Sequence, residues 1–181
     1  MRRVLLGCAL LFVGCSSQQA ITYYQLPVMP ALVASQNTAT QPLYIEPVQV
    51  ASYLNGRGLV LQVSDVELVV ARQHLWAEAL DQQLQRQLRD RLQSLLPEFV
   101  TVLQAQPTTM RLAVQIDQFH GQADGYAIIS GRFTLSTHLG SETFSLRVPL
   151  EDDGYPALVV ALGQGLQLLS QQISQQLNAA I

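Results

Sequence analysis

Three consecutive stretches between Arg111 and Leu150 place an apolar residue at every second position, and this alternation constrains the fold more than any other feature. Leu112, Val114 and Ile116 alternate with Arg111, Ala113, Gln115 and Asp117. Ile129, Gly131, Phe133 and Leu135 alternate with Ser130, Arg132 and Thr134, and Phe144, Leu146, Val148 and Leu150 stand against Ser145 and Arg147. A strand points successive side chains to opposite faces, so each stretch has one apolar face and one polar face. Asp124-Gly125 and Gly140-Ser141 separate the stretches as turn residues, which predicts an antiparallel meander buried on one side only. Phe119 breaks the parity of the first stretch and predicts a bulge.

A sheet with one apolar face needs a cover, and two helical patterns supply it. In His74 to Leu96, Trp76, Leu80, Leu84, Leu88 and Leu92 recur every four residues, with Pro97 as the stop. Gln82, Gln83, Gln85, Arg86, Gln87, Arg89 and Gln93 form the opposite face, expected to be solvated. After the acidic turn Glu151 to Pro156, a second stripe carries Leu158, Leu162, Leu166, Leu169, Ile173 and Leu177. Gly163 and Gly165 interrupt it, each costing roughly 1 kcal/mol relative to Ala, which predicts close packing, on the sheet rather than on a neighbouring subunit. Upstream, Leu43 to Val50 reads as a strand demoted by Pro47 towards an edge or bulge, and Ala51 to Gly58 as a turn. Leu59 to Val63 and Val66 to Ala71 read either as a hairpin or as one bent strand. The expected class is α+β, a two-layer sandwich with a largely antiparallel sheet and two main helices packed on one face.

The N-terminus belongs to no core. Arg2 and Arg3 precede an apolar run, Val4 to Val13, that is shorter than the roughly 20 residues a membrane-spanning helix needs, and the run ends in Leu-Phe-Val-Gly-Cys at residue 15. This pattern marks residues 1–14 as a lipoprotein signal peptide and Cys15 as the residue that receives diacylglycerol and an N-acyl chain. Leu5 to Cys8 has similar letters but too short an apolar segment. Cys8 would leave with the signal, so the mature chain keeps one cysteine and cannot form an internal disulfide. Ser16 and Ser17 are neutral, and the absence of an acidic residue there points to the periplasmic face of the outer membrane. Residues 15–42 read as the lipidated N-terminus and linker, and residues 43–181 as one domain. Within the linker, Tyr23 to Pro27 suits an extended piece pinned along a sheet edge, with Tyr23 and Tyr24 as either domain-starting tyrosines or a partner contact.

Several function classes find no support. Arg2 and Arg3 leave with the signal, so eight scattered arginines and no lysine face 13 carboxylates, a formal charge of −5 that argues against nucleic acid. His74, His120 and His138 are far apart and in no metal-ligand spacing. Asp117 and His120 should point to opposite faces unless a bulge intervenes, and both are expected to be solvated. No Gly-x-Ser-x-Gly elbow is present, and no cysteine remains as a nucleophile. Glu151, Asp152 and Asp153 lack regular ligand spacing and read as a solvated turn. Gly163-x-Gly165 lies inside a helix pattern and lacks the third glycine of a dinucleotide loop. No enzyme, cofactor or metal site is therefore expected beyond the lipid on Cys15.

The segments Leu11 to Ser17, Tyr23 to Pro27, Val50 to Leu84 and Ile116 to Gly131 together resemble the PqiC (YmbA) family of ABC-type transport auxiliary lipoproteins. The most specific is the long one, with Tyr-Leu-Asn-Gly-Arg-Gly, Ser-Asp-Val and Leu-Trp-Ala-Glu-Ala-Leu-Asp-Gln-Gln-Leu in order. Residues 29–42 match nothing in that pattern, and the resemblance begins near residue 23. It implies an outer-membrane lipoprotein of a Pqi-type envelope system that moves lipids or preserves membrane integrity. The implied partner is a periplasm-spanning, PqiB-like MCE-domain protein, and homo-oligomerisation through sheet edges is expected. The alternative is a structural or stress-related envelope lipoprotein without a transport role.

Overall fold

The computed structural model describes residues 20–28, 41–137 and 140–179. The signal peptide, Cys15, Ser16, Ser17, most of the linker and His138 lie outside the described residues.

The sheet is organised around its longest strand, β7 (Met110–Gln122). On one flank it pairs antiparallel with β8 (Tyr126–Leu135), which pairs antiparallel with β9 (Glu142–Pro149). This is the expected meander. Gly125, with φ at 83°, takes the left-handed conformation that makes the Asp124-Gly125 turn tight. The register slips between Ile116 and Gln118, so inward residues are even-numbered up to Ile116 and odd-numbered from Phe119. That is the bulge anticipated from Phe119.

On its other flank β7 meets three short strands lying end to end and all parallel to it. These are β2 (Gln41–Ile45), β3 (Gln49–Val50) and β4 (Gly58–Ser64). Pro47 lies between β2 and β3, where a ladder hydrogen bond is not needed. β6 (Phe99–Val102) flanks β2 in parallel, and β5 (Glu67–Trp76) flanks β4 antiparallel. Residues 59–71 are thus a hairpin, turning through Asp65 and Val66. Finally β1 (Thr22–Tyr24) adds in parallel to the C-terminal end of β5. The long ladders are antiparallel, as expected; the parallel pairings come from short strands whose partners are remote in sequence.

Helices α1 (Leu80–Leu95) and α2 (Tyr155–Ala179) pack against each other and cover one face of the sheet, which completes the α+β sandwich. Leu84, Leu88 and Leu92 of α1, and Leu166, Leu169, Ile173 and Leu177 of α2, are fully buried. α1 starts six residues later than the leucine stride predicts. His74 and Trp76 belong to β5, and Trp76 is a buried strand residue whose ring tilts against Phe119 at 6.2 Å. Its place four residues before Leu80 is not helical spacing, because Ala77 to Ala79 is not helical. Gly165 rests directly on the sheet: a β-carbon there would lie 2.0 Å from Ile129 Cδ1. The close packing expected of the two glycines is intramolecular.

Candidate functional site

The described part of the linker, Ala20 to Val28, is a strap across the domain rather than a loose lead-in. Its first hold is β1. Tyr24 accepts a backbone hydrogen bond from Ala77 N at 2.7 Å, and its hydroxyl pairs with His74 Nδ1 at 3.0 Å. The His74 ring in turn stacks on Tyr155, the first residue of α2, with centroids 4.0 Å apart. Arg57 locks the same corner: its Nε donates to Trp76 O at 3.0 Å, another guanidinium nitrogen donates to Ala77 O, and it sits 5.6 Å from the Tyr23 ring centroid. The two candidate contact tyrosines therefore separate. Tyr24 is engaged inside the molecule, whereas Tyr23 is 57% exposed.

The second hold is buried and polar. Leu26 joins the core, and its N–H donates to Gln83 Oε1 at 3.0 Å. The carbonyl of Pro27 accepts from Arg91 Nη2 at 3.3 Å. Arg91 also donates to Gln87 Oε1 at 3.1 Å and, across the helix pair, to Gln167 Oε1 at 2.9 Å. Gln83, Gln87 and Arg91 are all buried. This corrects the expectation that Gln83 and Gln87 lie on a solvated face. An amide buries readily once its hydrogen bonds are met, and here the strap and α2 meet them. The signal was in the sequence: Gln83, Gln87 and Arg91 recur every four residues, each one position ahead of Leu84, Leu88 and Leu92. Burial pushes the Arg91 pKa down, opposed by the charge of Asp90, but no carboxylate is paired with it among the described residues.

Beside the strap lies an exposed apolar edge. Beyond His74–Trp76, the outer edge of β5 has no strand partner among the described residues. Val66, Leu68, Val69 and Val70 of the hairpin are exposed, Val66 by 95%. An unpaired edge with apolar side chains is a ready template for another chain, and soluble domains usually protect such edges with charge, proline or bulges.

The remaining histidine chemistry is structural. The bulge places Asp117 and His120 on the same face by parity, yet no direct bond joins them. His120 is buried, a correction to its expected solvation. Its Nδ1 pairs with Gly121 O at 3.1 Å, and its ring tilts towards Tyr53, whose hydroxyl donates to Asp117 O. Burial pushes its pKa down. Among the described residues, no three His, Cys, Asp or Glu side chains are grouped to hold a metal, and no helix is long and apolar enough to cross a membrane.

The fold is a two-layer sandwich strapped by its own N-terminal segment, with an edge beside the strap that is open among the described residues. The model of the ABC-type transport auxiliary lipoprotein component matches residues 24–174, from within β1 to the last turns of α2. The chain belongs to that family, in its PqiC branch. It is 41% identical over 165 residues to the intermembrane transport lipoprotein PqiC of Escherichia coli K12, and equally to that of Shigella flexneri, covering 85% of this chain and 85% of each relative. A crystal structure of an uncharacterized protein superposes with a TM-score of 0.78 at 36% identity, covering 88% of this chain and 99% of that one. A Xanthomonas campestris structure, 16% identical with a TM-score of 0.66 over 88% of this chain and all of that one, shares the fold.

Proposed function

We propose that the protein is an intermembrane transport lipoprotein, anchored through acylated Cys15 on the periplasmic face of the outer membrane. Ser16 and Ser17 permit its sorting there. In this reading several copies assemble and receive a periplasm-spanning, PqiB-like MCE partner. The observation that carries it is the apolar edge of β5, unpaired among the described residues, beside exposed Tyr23 and close to where residue 20 leads into the fold. A domain held to a membrane by its N-terminus and presenting a free edge is suited to dock other subunits. The relatives' name supports the transport role, and the family is one of transport auxiliaries, not enzymes.

Membrane-extracted protein should co-purify with its MCE partner, and intact mass should show acylation at Cys15. Val69→Lys on the exposed edge should shift light-scattering mass towards the monomer and weaken partner capture while leaving thermal unfolding unchanged. A monomeric wild type with no affinity for the MCE partner would refute the docking role.

A further inference from the structure

An apolar groove of about 440 Å³ runs along the outer side of α2, within the usual size range of small-molecule sites. Val148, Val160, Leu168 and Val28 give it apolar walls, and Arg91 reaches it from α1. Among the described residues, no carboxylate lines it. Arg91 is only 3% exposed, and its hydrogen-bond acceptors are neutral, two glutamine oxygens and one backbone carbonyl, the neighbouring Asp90 making no ion pair with it. Its Nε is buried without a hydrogen-bond partner, the only such side-chain atom among the described residues. A buried cation is normally matched by an anion, since neutral acceptors recover only part of its lost hydration. The side chain that lacks an anion is thus the one at the wall of an apolar groove.

We propose that the groove binds a single-chain anionic amphiphile, a long-chain fatty carboxylate, with its head group on Arg91 and its alkyl chain along α2. Of the five guanidinium N–H groups, three are taken by Gln87, Gln167 and Pro27. Of the two left over, Nε–H is buried and lies on a different edge of the guanidinium from the free Nη1–H, so the carboxylate meets Arg91 through one oxygen, on Nη1. Leu168 and Val160, each 45% exposed, then gain the apolar cover they lack.

The test uses the mature chain, residues 15–181, carrying Cys15→Ser so that no detergent competes. It is titrated with cis-parinaric acid, whose fluorescence rises in apolar surroundings, and in parallel with the methyl ester. The acid should bind saturably at one equivalent, and the uncharged ester roughly tenfold or more weakly, the loss of about one charge-assisted hydrogen bond. Arg91→Met should reduce acid binding to the level of the ester, whereas Arg91→Lys should retain most of it. Leu168→Glu, at an exposed wall position, should weaken acid binding by roughly tenfold or more through like-charge repulsion, without changing the melting temperature. Non-saturable binding, equal binding of acid and ester, or undiminished binding by Leu168→Glu would overturn the proposal. Should Arg91→Met fail to fold, the ester comparison and Leu168→Glu still decide it.

Discussion

Replacing Gln83 by Ala tests whether the strap is part of the folded domain. In the wild type, Gln83 Oε1 accepts from Leu26 N at 3.0 Å, and Gln83 Nε2 donates to Glu78 O at 3.1 Å. The two ends of this bridge are not equivalent. Glu78 is partly exposed and its carbonyl can turn to water, but Leu26 is 1% exposed and its N–H is satisfied by Gln83. Orphaning a buried donor costs about 1–3 kcal/mol. For a domain of this size each kcal/mol moves the midpoint by roughly 2–4 °C, so a central cost of about 2 kcal/mol is a fall of about 4–8 °C. Gln83→Met should cost nearly as much, because it fills the space but still strands the donor. In a chain beginning at Thr40 the strap is absent, and Gln83→Ala should become nearly neutral, as surface changes are. Urea denaturation of the four proteins closes a double-mutant cycle with an expected coupling of about 1–3 kcal/mol. Equal cost of Gln83→Ala with and without the strap would show that the amide does not act through Leu26.

Other perturbations follow from the core. Leu88→Asp puts an unpaired carboxylate at a fully buried position between helix and sheet and should abolish cooperative unfolding by circular dichroism; a parent-like melt would refute the assigned helix face. Gly165→Ala should lower the midpoint although Ala favours helices by about 1 kcal/mol, because overpacking against buried Ile129 costs roughly 1–3 kcal/mol; a rise would show that Ile129 yields freely. The buried His120 has a folded pKa below its unfolded value of about 6.5, so the unfolded chain binds more protons as pH falls. Its contribution is complete above about pH 6.5 and is lost as pH falls towards the folded pKa. His120→Leu should flatten urea midpoints across that window, and an unchanged slope would assign the pH dependence to other groups.

Much of this fold was legible because its signals are local. Alternation located β7, β8 and β9, the parity break at Phe119 marked the bulge, and the stride of four in each leucine stripe marked both helices. The start of α1 was misread because Trp76 falls in step with Leu80 by coincidence of spacing, whereas its burial comes from the strand. The parallel placement of β2, β3 and β4 along β7 depends on contacts between residues far apart in sequence, and no local pattern encodes them. The strap was half legible. Tyr23 to Pro27 read as an edge-pinned segment, but Gln83, Gln87 and Arg91 are polar letters whose burial depends on partners supplied by Leu26, Pro27 and Gln167. The apolar edge of β5 was equally hidden, since Leu68, Val69 and Val70 have the composition of any buried strand.

The strap also fixes the order in which the domain would fail under tension. A pull arriving from residues ahead of Ala20 is borne first by β1, a three-residue strand on a single partner. Such a short pairing can detach under a brief tug and re-form, since its template at His74–Trp76 belongs to the hairpin and stays in place. Further extension must draw Leu26 out from beside α1 and break its bond to Gln83, a steeper step that exposes a large apolar side chain. Only then does load reach the α1–α2 contact that Arg91 spans through Gln167. With the anchor proposed at Cys15, small fluctuations of the membrane would be absorbed in a replaceable element, and the sandwich behind it would be spared.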